Sequence, residues 1–192
     1  SLKLGADNNE GYDWKKDFEE RFKPKYRNPI STGWLLVDEL IRGGLGQKEL
    51  GVVIAPTGAG KSMALVHLGS QALKEGKTVV HYTLELQDMV IGSRYDSCLT
   101  KIPLDSLLSF KEKIYEEVQD IDGKLIIKEY PTKTASTHTL KMHLEKLRMR
   151  GTQIDMIIVD YADLLRPVTT QREKRNELES IYEELRGLAQ EF

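Results

Sequence analysis

The chain has 192 residues, 40% hydrophobic and 30% charged, enough to bury one core without disulfides or a structural metal. Its 28 basic and 30 acidic residues nearly cancel, so any contact with nucleic acid has to come from a local patch. The sequence contains no run of about 18 apolar residues and no opening that reads as a signal peptide. The single Cys98 excludes an internal disulfide and fits a reducing, cytoplasmic setting, with the thiol packed as a small hydrophobe.

Residues 1–29 are polar and carry one expected short helix, with Trp14, Phe18 and Phe22 on a single stripe at four-residue spacing. Pro24 and Pro29 end it and begin an extended link to a domain over residues 30–192. From Glu49 onward strands alternate with helices. Leu50–Ala55 reads as a buried strand, Lys61–Lys74 as a helix stopped at Gly76, and Thr78–Leu84 as the next strand. Helices over Asp88–Thr100 and Leu104–Val118 are parted by Pro103. A strand over Lys124–Glu129 and a helix over Thr137–Arg150 follow, then an apolar strand over Ile154–Val159 and a charged amphipathic helix over Glu173–Phe192. Alternation of this kind predicts an α/β fold, a mostly parallel sheet with helices on both faces. The chain opens on Ser1, and its last helical pattern is still running at Phe192, which suggests part of a longer protein.

Between the first expected strand and helix lies Ala55-Pro56-Thr57-Gly58-Ala59-Gly60-Lys61-Ser62, followed by Met63. This is the phosphate-loop pattern, with Ala55 in place of its first glycine, a position that needs only a small residue. Gly58 and Gly60 reach backbone conformations that residues with a Cβ reach poorly, so that amides can turn toward phosphate oxygens. Lys61 brings a cation to the β- and γ-phosphates, and the Ser62 hydroxyl is a hard ligand for Mg²⁺. Asp160 ends the apolar strand, where a carboxylate at the sheet edge could hold Mg²⁺ through water; Asp163 is the alternative. Glu85 ends the strand after the phosphate loop, where it could orient a water on the γ-phosphate or stand simply as a solvated strand end. His67, His81, His138 and His143 show no metal-ligand spacing with Cys98. Arg166, Arg172, Lys174 and Arg175 form a basic stretch that could contact nucleic-acid phosphates or stand as a solvated loop.

Together, the phosphate loop, Thr83-Leu84-Glu85-Leu86, Lys124–Thr132 and Asp155–Tyr161 resemble the hexameric replicative helicases of the DnaB type, most of all those of tailed phages. Ile41-Arg42-Gly43-Gly44-Leu45 resembles the family's glycine turn. The resemblance covers Ile30 to Phe192 and implies a RecA-like ATPase core using ATP and Mg²⁺. Lys61 and Ser62 then take phosphate and Mg²⁺, Asp160 the metal-site carboxylate role and Glu85 the water-activating role. It further implies a ring, likened to a hexamer, on single-stranded DNA, with a primase or loader as partner, in the cytoplasm (of the host, if phage-encoded). The aromatic stripe resembles the family's linker helix, which docks on an adjacent subunit; a helix folded on its own domain is the other reading. The family's polar sensor, main DNA-binding loop and arginine finger come after the part matched here, so the domain alone is expected to turn over slowly. Arg94 or the Arg172–Arg175 cluster would be suspected first if it did not. A RecA- or RadA-like recombination ATPase and a KaiC-like regulatory ATPase are the alternatives.

Overall fold

A computed structural model describes residues 12–22, 27–167 and 174–192. Its frame is a three-stranded parallel sheet in the order β2-β1-β3, with β1 at Thr78–Thr83, β2 at Lys124–Glu129 and β3 at Met156–Asp160. The helices are α1 (Leu35–Leu40), α2 (Lys61–Lys74), α3 (Asp88–Thr100), α4 (Lys111–Gln119), α5 (Thr137–Met149) and α6 (Lys174–Glu191). Side chains alternate along β1, and each set founds a separate core. Val79 joins Val66, Leu73, Ile91, Tyr95 and Ile158 beneath α2 and α3. Val80, Tyr82 and Leu84 join Leu140, Leu144, Ile181, Leu185 and Leu188 beneath α5 and α6. The expected doubly covered α/β architecture is therefore present.

Local chemistry sets the helix ends. Gly76, at φ +72°, closes α2: its amide donates to Leu73 O (3.0 Å) and the Lys77 amide to Ala72 O (3.0 Å). Gly151 closes α5 in the same way, with Thr152 N donating to Leu147 O (3.1 Å). Ser136 opens α5 through a reciprocal capping box with Thr139. The Thr137 hydroxyl then donates to Glu184 and joins α5 to α6.

Some expectations need correction. Leu50–Ala55 is not a strand among the described residues: it forms no ladder, and Ile54 is 89% exposed. Strand preference becomes a strand only through a pairing partner, and the outer edge of β3 pairs with no described strand. The helix expected over Leu104–Val118 is divided into a 3-10 segment, Leu104–Phe110, and α4. Ser106 N donates to Pro103 O (2.9 Å), and Ser106 Oγ to the neighbouring Asp105 carboxylate (3.0 Å), local bonds that compete with α-helical pairing.

The N-terminal helix is reduced to turns and a 3-10 turn at Glu19–Arg21, since so short a stretch nucleates a helix poorly. Its aromatics still gather: the Phe18 and Phe22 rings lie 5.0 Å apart, and Arg21 stacks over Trp14 and Phe18. Trp14 and Phe22 remain largely exposed, and Pro24 lies outside the described residues. Helix α1 went unread in the sequence because Ser31, Thr32 and Asp38 fix its start through hydrogen bonds of 2.6–2.8 Å rather than through an apolar period. Among the described residues no helix is long and apolar enough to cross a membrane.

Where α2 meets the start of β2, Gly123 lies against backbone: a Cβ there would stand 2.3 Å from Leu73 O. Gly123→Ala is expected to cost about 1–3 kcal/mol, the scale of overpacking, read as a fall in thermal midpoint of roughly 2–4 °C per kcal/mol. An unchanged midpoint would mean that this contact yields freely.

Candidate nucleotide site

The phosphate loop is an exposed turn leading into α2. Gly58 (φ +78°) and Gly60 (φ +89°) both lie in the left-handed region. A Cβ at either would meet nothing within 4 Å, so glycine is required there by backbone conformation and not by space. Ala59 N donates to Pro56 O (3.2 Å), and the first intrahelical bond runs from Ala64 N to Gly60 O (2.9 Å). The opening amides of α2 precede that ladder and can serve an anion. The Lys61 ammonium curls over the loop, donating to Ala55 O (2.9 Å) and Pro56 O (3.2 Å).

Asp160 ends β3 at the carboxyl edge of the sheet, 1% exposed, and neither carboxylate oxygen has a hydrogen-bond partner. Burial pushes its pKa above the usual carboxylate range; the Ser62 hydroxyl opposes this without forming a geometrically proper hydrogen bond. Glu85 also raises it, while the Arg94 and Lys61 cations lower it, so these side chains share one electrostatic neighbourhood. A buried carboxylate with free oxygens beside a serine hydroxyl suits a hard divalent cation. Asp163 is exposed and accepts a hydrogen bond from the Tyr182 hydroxyl (3.0 Å), which leaves it outside this cluster.

Glu85 stands exposed on the turn after β1. The register sets Thr83 opposite Asp160, and Leu84 N donates to Asp160 O (2.8 Å), so the two acidic positions share one edge. Behind them His81 is fully buried; its Nδ1 lies 2.9 Å from Tyr95 Oη, and burial lowers its pKa to about 4. His143 pairs with Tyr82 (2.8 Å) and His67 stacks on Trp34, so packing accounts for both. Among the described residues no cluster of three or more His, Cys, Asp or Glu side chains is arranged to hold a metal. Cys98 is a half-buried free thiol against the α2–α3 core. Of the basic stretch, Arg166 and Arg175 are exposed, whereas Arg172 and the Lys174 side chain lie outside the described residues. No local spacing places Arg94 near Asp160, because that proximity comes from the packing of α3 on α2.

Residues 29–192 match the model of the DnaB-like helicase C terminal domain. The chain belongs to that family. It is 28% identical over 207 residues to the DnaB-like replicative helicase of Enterobacteria phage T4, covering 100% of this chain and 43% of that protein. To the replicative DNA helicase DnaB of Helicobacter pylori it is 23% identical over 168 residues, covering 85% and 34%. It thus spans less than half the length of these curated relatives. Its fold matches a solved ATPase domain with a TM-score of 0.73 at 14% identity, covering 94% of this chain and 68% of that one. A DnaB-like replicative helicase described with its interactions with primase gives the same TM-score and identity, covering 93% and 46%. The family assignment supports the helicase reading over the recombination and regulatory ATPases, and the RecA-like fold stands with it.

Within this helicase-family domain, Asp160 bears a charge that folding disfavours. Its folded pKa is raised, so the stability it contributes is present at low pH and lost as pH rises through that pKa. Asp160→Asn without nucleotide should therefore be more stable at pH 7, by about 0.5–2 kcal/mol, the usual range for a stabilising substitution. The gap should narrow as pH falls toward the unfolded value of 3.8. Urea unfolding at both pH values checks this, and a less stable variant at pH 7 would refute it.

Proposed function

We propose that the chain is the ATP-hydrolysing motor domain of a replicative DNA helicase, coupling turnover to movement along single-stranded DNA and duplex unwinding. The observation that carries this is the buried, unpartnered Asp160 carboxylate beside Ser62, at the foot of a phosphate loop. In this reading residues 55–63 cradle the triphosphate: Ala55, Pro56, Thr57, Gly58, Ala59 and Gly60 shape the loop, and Met63 follows on the first helical turn. Lys61 leaves its two carbonyl acceptors and places its charge on the β- and γ-phosphates. Ser62 directly, and Asp160 through water, would hold Mg²⁺, which neutralises charge on the phosphate oxygens when bound. Glu85 takes a proton from the attacking water as the bond to the γ-phosphorus forms and ADP leaves.

The remaining charge compensation is proposed to come from a cation of a neighbouring copy, in a ring of copies around single-stranded DNA. Residues 1–29 then act as a linker and residues 30–192 as the motor. Arg172, Lys174 and Arg175 are offered as phosphate contacts, a primase or loader as partner, and the cytoplasm as the site of work.

Lys61→Ala should abolish tight binding of a fluorescent ATP analogue, because the loop loses its positive side chain; unchanged affinity and turnover would exclude the nucleotide site. Glu85→Gln should bind the analogue normally while turnover falls roughly 10²-fold or more, the scale of positioned general-base catalysis. A normal steady-state rate in the assembled protein would leave Glu85 a bystander.

A further inference from the structure

Glu85 occupies the middle of a turn whose two flanking residues are held at both backbone groups. Leu84 N donates to Asp160 O (2.8 Å), and Leu84 O accepts from the Thr132 hydroxyl (2.8 Å). On the other side, Leu86 N donates to Thr83 Oγ1 (3.2 Å), and the same hydroxyl donates to Leu86 O (2.7 Å). Thr83 belongs to the buried strand itself. Thr132 does not: it reaches the turn from the loop between β2 and α5, 48 residues along the chain.

That loop is fastened on its far side as well. Lys133 N donates to Leu164 O (2.9 Å), and its ammonium to Asp163 O (2.8 Å) and Leu165 O (2.9 Å). Arg166 N returns a bond to Ala135 O (2.8 Å). Lys133 adopts φ +60°, a conformation that a residue with a Cβ keeps only when its surroundings fix it, as these bonds do. The loop is therefore a strap whose one end grips the segment after β3 and whose other end grips the Glu85 turn.

We propose that Thr132 is a positioning residue for Glu85, and that the 132–135 strap makes the placement of that carboxylate depend on the segment following β3. The proposal rests on the reading of Glu85 as the residue that activates water. Without the Thr132 hydroxyl, Leu84 O loses its donor and the turn is held from the strand side alone. A carboxylate displaced by a fraction of an ångström still leaves the nucleotide bound but no longer aligns the water, and a 1 Å error alone can cost about 10²-fold.

The test is steady-state ATP turnover by the assembled protein carrying Thr132→Val, Thr132→Ser, Glu85→Gln and the Glu85→Gln/Thr132→Val pair. Thr132→Val should lower kcat by roughly 10-fold with KM and affinity for a fluorescent ATP analogue unchanged. Thr132→Ser, which keeps the hydroxyl, should restore the rate, and the valine should cause no further loss once Glu85 is glutamine. An unchanged kcat in Thr132→Val would overturn the proposal while leaving the Glu85 reading intact. So would a drop of equal factor in the Glu85→Gln background, or a loss that serine does not rescue and that follows a lowered melting temperature. Normal turnover by Glu85→Gln alone would instead remove the reading on which the proposal stands.

Discussion

The parallel pairing of β1 with β3 is the constraint on which the site depends. It sets Thr83 opposite Asp160 and ends both strands at one edge, where the Leu84 amide closes the ladder on the Asp160 carbonyl. Parallel strands end together at their carboxyl edge, so two acidic residues 75 positions apart in the chain face the same loop without any direct bond between their side chains. The helix that follows the phosphate loop packs on β1 and β3 and so delivers Ser62 to that edge. The sheet thereby fixes three chain segments relative to one another.

The two faces of β1 serve different ends. The α5–α6 side is largely apolar, and its buried polar groups are paired: Tyr82 with His143, Thr137 with Glu184 and Ser136 with Thr139. The α2–α3 side holds His81, Tyr95, Thr83 and Asp160, all buried; Thr83 and Tyr95 are hydrogen-bonded, whereas His81 Nε2 and both Asp160 carboxylate oxygens have no partner. A buried polar group without a partner costs free energy, and here the cost falls on the face that meets the phosphate loop.

Much of this was legible in the sequence, for reasons that differ by element. Helix α2 and strands β1 and β2 were readable because periodicity, Gly76 and β-branched runs agree locally. The phosphate loop was readable because its glycines have a backbone reason, borne out by positive φ at Gly58 and Gly60. Leu50–Ala55 misled because composition reports a preference for strand but not the presence of a partner. Thr132 was invisible as a support of Glu85, since no pattern within the chain reveals a hydroxyl that crosses 48 residues to meet a carbonyl. Arg94 was placed by helix packing alone.

The outer edge of β3, which no described strand covers, has a consequence for the solution behaviour of this chain. The same molecule carries the exposed apolar run of Leu50, Val52 and Ile54. An open edge offers backbone donors and acceptors to any extended segment, and an unpaired apolar run rich in β-branched residues has the composition to pair with it. Between two copies the run of one and the edge of the other are complementary, a head-to-tail relation. Self-association of the chain should thus grow with concentration and be eased by a charge placed on either element.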